Sequence, residues 1–346
     1  MRVLAYVVSV MSLLLLATVA RSQPTEYNFI TINVDFPSFP DDLFGCAATG
    51  INDEGLVVGG CNDLSQNSNL RGFLYDGRRF SEIDFHHTKT DTLGARRNIQ
   101  SEGLSLLARS VYQSAPFHDS ILQGPGILRS MRPIVSGVSP QDINNQDHVT
   151  GWHFDGTRLQ GFLKRNGNVL KLTVPKSQLT EAVGINDIDQ IVGDYRDQNG
   201  FFHGFLYQDG IYSSIDVPFI SSFDTGAFGI NNLGEIVGCY FLCSRGFLHN
   251  SERSIFTQID VPGAVVTQAS DINDLGQIVG TYSSDGLTVH GFLYDGSGFT
   301  LIDVPGSVLT DLFGINNAGQ VVGFYVVEKP SGVFEAHAFV ATPIEK

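Results

Sequence analysis

"GINNLGEIVGCY", residues 229–240, decides the fold because the chain writes it again and again. "GINDIDQIVGDY" stands at 184–195, "DINDLGQIVGTY" at 271–282 and "GINNAGQVVGFY" at 314–325. With the Ile of each Gly/Asp-Ile-Asn as anchor, the clear anchors are Ile51, Ile143, Ile185, Ile230, Ile272 and Ile315. Consecutive intervals are 92, 42, 45, 42 and 43 residues. The first is about twice the rest, and "IQSEGL" at 99–104 resembles "INDEGL" at 51–56, so a further unit is expected there. A period of this length signals a solenoid or a propeller.

Each unit carries four phrases. A run of small residues leads into the anchor. An apolar stretch such as "EIVGCY" follows, with Gly eight residues past the anchor at Gly59, Gly151, Gly193, Gly238, Gly280 and Gly323. The third phrase is "HGFLY" or a variant, and the fourth is "FTQIDVP" or a variant. All are short, rich in Val, Ile, Phe and Tyr, and bounded by Gly, Asn and Asp, which is how strands read. "INNLGE" is a tight hairpin in which Gly supplies a positive φ. "IVG" is apolar at successive positions, so this strand is buried on both faces. Its Gly is expected to let neighbouring sheets approach closely.

The last unit lacks a fourth phrase, and "YNFITINVDFP" at 27–37 resembles a fourth phrase with nothing before it. The two ends complete one unit. A ring explains this, because the first strand closes the last sheet and removes exposed edges. The expected fold is therefore all-β: a seven-bladed β-propeller with four strands per blade, residues 27–37 forming the outermost strand of blade seven.

Met1 and Arg2 precede an apolar run, Val3 to Ala20, that ends in small residues. This reads as a secretory signal peptide over residues 1–22, with residues 23–346 forming a single propeller domain. The alternative is an uncleaved anchor, about 18 apolar residues being the lower limit for a span. The net charge is -15, without a basic tail, which argues against nucleic acid and against an anionic membrane surface. A secreted or periplasmic monomer without cofactor is expected, not inserted in a membrane after signal cleavage. Export permits disulfides. Cys46 and Cys61 flank the "NDEG" turn almost symmetrically and Cys239 and Cys243 flank a short connection, so these are the expected pairs.

The repeat phrases together resemble the bacterial extracellular repeats known as the HAF family, and "HAF" itself stands at His337-Ala338-Phe339. The resemblance implies export and a propeller-type repeat fold. It carries no activity and no catalytic residue. "HDSIL", at 118–122, departs from the pattern.

Candidate functional residues are few. The histidines of the third phrase, His118, His203, His290 and His337, share their slot with Arg71, Gln160 and Arg245, so a polar role at a strand start fits better than a metal site. Asp84, Asp216, Asp260, Asp303 and Asp35 recur once per unit, which suits a turn or edge role. Glu181, Gln268 and Asp311 lie four residues before their anchors and are expected to crowd the channel mouth, where they would take a ligand. Trp152, the only Trp, is either a sugar-stacking platform or core. Lys89, Arg96, Arg97, Arg109, Arg129 and Arg132 make one unit basic, either a docking patch or drift. "DINDLG" fails calcium-loop spacing because Leu275 stands where an oxygen ligand belongs.

Three functions fit. The first is a non-catalytic binding module for a glycan, peptide or protein. The second is a glycan-active hydrolase or lyase using carboxylates at the channel mouth. The third is a cell-surface structural protein.

Overall fold

The structure, a computed structural model, describes residues 26–34, 45–63, 69–83, 137–218, 224–251, 253–332 and 334–344. Every regular element among them is a strand. Blade one comprises β2 (Cys46–Ile51), β3 (Val57–Asp63), β4 (Asn69–Tyr75) and β5 (Phe80–Ile83). Blade two comprises β6 (Gly137–Ile143), β7 (Val149–Phe154), β8 (Leu159–Arg165) and β9 (Asn168–Leu172). Blade three comprises β10 (Leu179–Ile185), β11 (Ile191–Arg196), β12 (Phe202–Gln208) and β13 (Ile211–Ile215). Blade four comprises β14 (Thr225–Ile230), β15 (Glu235–Tyr240), β16 (Arg245–Asn250) and β17 (Ile255–Ile259). Blade five comprises β18 (Val266–Ile272), β19 (Ile278–Ser283), β20 (His290–Tyr294) and β21 (Phe299–Ile302). Blade six comprises β22 (Leu309–Ile315), β23 (Val321–Glu328) and β24 (Phe334–Pro343), completed by β1 (Tyr27–Ile32) from the start of the chain. β1 pairs antiparallel with β24, from Tyr27 opposite Pro343 to Ile32 opposite Ala338. Blades one and two touch edge to edge through one parallel bridge, Leu70 to Gly137.

The described residues form six blades, not the seven expected. The side chain of Asn52 in blade one donates directly to the carbonyl of Asn144 in blade two, and that of Asn316 in blade six donates to Asn52. The six described sheets thus close on themselves, with no interval for another blade between Asn52 and Asn144. The segment read as a hidden unit, around Ile99, lies outside the described residues, as do residues 1–25.

Register explains the glycines. In every blade the pairing of the first and second strands slips by one residue just before the anchor, as between Ala227 and Gly229. This bulge pushes a carbonyl at the second strand. A Cβ on Gly193, Gly280 or Gly323 would lie 1.9 Å from the oxygen of Glu181, Gln268 or Asp311. So the Gly of "IVG" accommodates its own sheet, not the neighbouring one as expected from the sequence. Close approach between blades occurs instead at the Gly of the third phrase. A Cβ on Gly161 would meet Ala182 of the next blade at 3.1 Å, and one on Gly72 would meet Pro140 at 2.6 Å.

The core lies between the sheets. The second strands are buried on both faces: Ile191, Val192, Ile278 and Val279 are fully enclosed. The Phe of the third phrase (Phe73, Phe162, Phe205, Phe247, Phe292 and Phe339) is fully buried in every blade. Clusters bridge neighbours; Val192 and Ile215 of blade three pack with Ala227, Ile230 and Phe247 of blade four. Burying each Phe contributes about 2–3 kcal/mol. Fourth strands face solvent, and β9, β13 and β17 share one pattern in which only the last residue is buried. Both expected disulfides are formed: Cys46 with Cys61, which are direct register partners, and Cys239 with Cys243.

Candidate binding face at the channel mouth

The hairpins between first and second strands meet around the axis, and each begins with the Asn of the anchor phrase. Asn52, Asn144, Asn186, Asn231, Asn273 and Asn316 are all buried. Each Oδ1 accepts the backbone N–H groups two and four residues on, which holds the turn; in Asn231 these come from Leu233 and Glu235. Each Nδ2 donates to the carbonyl of the equivalent Asn in the next blade, at 2.9–3.3 Å, until the circle closes. The carboxamide is the side chain that suits both tasks, with acceptor and donor on one short stem.

The second Nδ2 hydrogen also finds an acceptor. In blades three to six it is the residue four positions on: Gln190, Glu235, Gln277 or Gln320. Blades one and two have Leu56 and His148 there. In those two cases the next blade supplies the oxygen, from Asp147 and Asp189. Those two Asp residues replace the turn Gly and adopt positive φ, 59° and 58°. A left-handed Asp costs about 1 kcal/mol, which the added hydrogen bond offsets. Asp189 also holds His148 at 2.7 Å and Arg165 at 3.0 Å.

The residue after each Asn forms a second ring: Asp53, Asn145, Asp187, Asn232, Asp274 and Asn317. Around the circle acid and amide alternate strictly. Every Oδ1 accepts a backbone N–H from the preceding blade, at 2.8–2.9 Å. Every Asn Nδ2 donates to the Oδ2 of both flanking Asp residues, at 2.8–3.1 Å. Two adjacent amides would set donor against donor, and two adjacent carboxylates would set charge against charge; alternation avoids both. It requires an even number of blades. Three fixed carboxylates therefore rim an open depression lined by both rings.

Deeper in the channel, the residue before the anchor is Gly in four blades and Asp in blades two and five. These blades are opposite one another, so Asp142 and Asp271 stand on opposite sides of the channel. Each carboxylate accepts two backbone N–H groups, one from its own blade and one from the next: Ile143 and Ile185 for Asp142, Ile272 and Ile315 for Asp271. Burial raises both carboxyls, Asp271 to about 7, and at Asp142 the Asp271 charge adds to burial. The facing glycines leave no room: a Cβ on Gly50 would come within 2.6 Å of the Asp142 Cα. Thr49, Gln141, Val183, Phe228, Ser270 and Phe313 line the constriction together with this pair.

The residues expected to crowd a channel mouth do not line this depression. Glu181, Gln268 and Asp311 are buried near the start of their first strands, at the other end from the hairpins. Gln268 donates to the carbonyl of Cys243 in blade four, and Asp311 accepts from Thr281 in blade five, so both belong to blade interfaces. Trp152 is 0% exposed and packs with Leu70, Phe154, Leu159 and Leu179, which makes it core and not a stacking platform. The recurrent His and Asp pair with each other across the outer strands: His203 with Asp216 and His290 with Asp303, each at 2.8 Å, and Arg245 with Asp260 at 2.9 Å. Where Thr173 replaces the Asp, Gln160 replaces the His and donates to it. Tyr195 stacks on His203, and Tyr282 and Tyr325 lie tilted against His290 and His337. Asp35, Asp84, His118 and the basic residues Lys89, Arg96, Arg97, Arg109, Arg129 and Arg132 lie outside the described residues. Among the described residues no group of three or more His, Cys, Asp or Glu is arranged to hold a metal ion. Nor is any helix there long and apolar enough to cross a membrane.

No protein-family model and no curated protein sequence matches the chain. Similar solved structures include a catalytically inactive virginiamycin B lyase from Staphylococcus aureus, at 9% identity and TM-score 0.44, covering 92% of this chain and 100% of that one. A protein of unknown function from Dyadobacter fermentans has 9% identity and TM-score 0.47 over 91% and 98% of the two chains. The lectin of Aleuria aurantia, a six-bladed β-propeller, has 9% identity and TM-score 0.42 over 75% and 77%. Likenesses at these scores say nothing of what this chain binds. The assignment as an all-β propeller of four-stranded blades rests on the strand pairing and the closed circle of hydrogen bonds.

Proposed function

We propose that this chain is an exported, non-catalytic binding module of the HAF-repeat type, which takes its ligand (a glycan, peptide or protein) on the channel-mouth face. The observation that carries this reading is the double ring of Asn and Asp. It fixes six turns against one another and presents three carboxylates and three carboxamides in one rigid circle. Binding faces built on such rigid elements lose little freedom on association.

A hydrolase needs two carboxyl groups flanking one bond, about 5–10 Å apart. Glu181 and Asp311 sit on opposite blades, and Asp311 is engaged by Thr281 within an interface, which does not support that role. Asp142 and Asp271 have the raised carboxyls that catalysis often uses. Yet each already holds two backbone N–H groups that join adjacent blades, which supports a structural role. The two disulfides and the signal-like residues 1–22 support export.

The test is thermal unfolding of the mature protein against a panel of polysaccharides, oligosaccharides and peptides. A ligand at a hundred times its Kd adds about 2.7 kcal/mol of stability, a visible rise in Tm. A ligand-induced rise is the expected result. A flat panel on a cooperatively melting protein contradicts a glycan or peptide ligand and leaves a protein partner or the structural role.

A further inference from the structure

The tip of each hairpin, two residues after the buried Asn, carries a second pattern. In blades three, four and five it is Ile188, Leu233 and Leu275, exposed by 65%, 61% and 70%. Blades one, two and six carry Glu54, Gln146 and Ala318. Three large aliphatic side chains thus stand on consecutive turns that are hydrogen-bonded to one another through Asn186, Asn231 and Asn273. They stand on the tips of three successive turns around one half of the mouth, an apolar arc in which Ile188 and Leu275 directly follow Asp187 and Asp274 in the chain. Turn tips are ordinarily polar, and contiguous exposed apolar groups rimmed by polar ones mark interaction surfaces.

We infer that this arc, with the carboxylates beside it, docks a polypeptide segment that presents a Lys or Arg flanked by aliphatic side chains. The inference rests on the binding-module reading and names its ligand class. Charge selects the occupant. The mouth offers fixed carboxylates on a chain of net charge -15, so a cationic group is attracted, while a second copy of this chain or an anionic surface is repelled. The apolar arc then buries the flanking side chains. A sugar fits less well, because its apolar face seeks an aromatic ring; no tip is aromatic and the single Trp is core.

The test uses fluorescently labelled nonapeptides of alternating Leu and Lys, with Leu/Ser and Leu/Glu peptides as controls, titrated into the mature protein. The Leu/Lys peptide is expected to bind about tenfold or more tightly than either control. Raising salt from about 20 to 200 mM should weaken it at least about threefold. Leu233→Ser and Leu275→Ser, both at exposed positions, should each weaken it by about tenfold, whereas Leu301→Ser on an exposed outer strand should not. Unchanged melting of the variants shows that folding is intact. Equal binding of the three peptides, or binding indifferent to Leu233→Ser and Leu275→Ser, overturns the inference. If an oligosaccharide binds instead and loses affinity in the same two variants, the mouth remains a binding face and only the ligand class is wrong. If neither peptides nor sugars bind, this inference falls, and with it the glycan and peptide forms of the binding-module reading.

Discussion

The inner ring and the outer rim of this propeller are built from the same repeats and obey different rules. At the inner ring the buried Asn is the same in all six blades, and the next residue alternates between Asp and Asn without exception. At the outer rim the equivalent pair is His with Asp, Arg with Asp, or Gln with Thr. The inner side chains mate with the neighbouring blade, so each must fit a copy of itself. The outer pair joins the third strand to the end of the fourth within one sheet, so any compatible donor and acceptor suffice. A position that closes a ring is constrained by every other blade; a position that closes a sheet is constrained only by its partner.

That contrast can be broken by mutation. Asn231→Ala removes two side-chain donations and two acceptances at a buried site. With buried groups costing about 1–3 kcal/mol each when left unpaired, the loss should reach about 3–6 kcal/mol in urea unfolding. A loss under about 1 kcal/mol would show that the ladder is incidental.

The channel pair predicts a pH effect of the next size. The folded carboxyl of Asp271 lies at about 7, above its unfolded value, so the native state binds the proton more tightly. This contribution to stability is fully present below about pH 4, declines as pH rises and levels off above about pH 7. Between pH 5 and 8 the protein should lose about 2–4 kcal/mol through this group, with Asp142 acting in the same direction. Asp271→Asn should flatten that decline, at a lower overall stability because one backbone N–H loses its acceptor. An Asp271→Asn variant with the wild-type pH profile contradicts the assignment.

The smallest effect is expected at the rim. His290→Ala removes a half-exposed pair with Asp303 and should cost no more than about 1 kcal/mol. A cost equal to that of Asn231→Ala would erase the distinction between ring and rim.

Much of this was legible in the sequence. The four phrases per unit, the doubly buried "IVG" strand, the closure by Tyr27–Ile32 and both cysteine pairs follow from periodicity and turn chemistry. The blade number was misread because an interval of 92 residues was divided by a weak match at Ile99. The sequence held a better signal: Asn-Asp and Asn-Asn alternate along the six clear anchors, and an odd ring cannot sustain that pattern. That Gln268 and Asp311 turn into blade interfaces is not legible, because the partners, Cys243 and Thr281, come from the preceding blade. The hairpin that follows the anchor carries the two rings, and the run before the anchor lies at the opposite end of the first strand. Trp152 was undecidable from sequence, since its burial depends on Leu70 and Leu179 from neighbouring blades.

The most direct test of the alternating ring is a comparison of two variants in urea unfolding. Asn232→Asp alone sets three carboxylates in a row, Asp187 to Asp274, and removes the two donations between them. It should cost about 2–3 kcal/mol. Inverting all six positions (D53N, N145D, D187N, N232D, D274N and N317D) restores alternation at unchanged net charge. The account predicts that the sixfold variant recovers most of what the single one loses. A sixfold variant less stable than Asn232→Asp, or a single variant as stable as the parent, would contradict it.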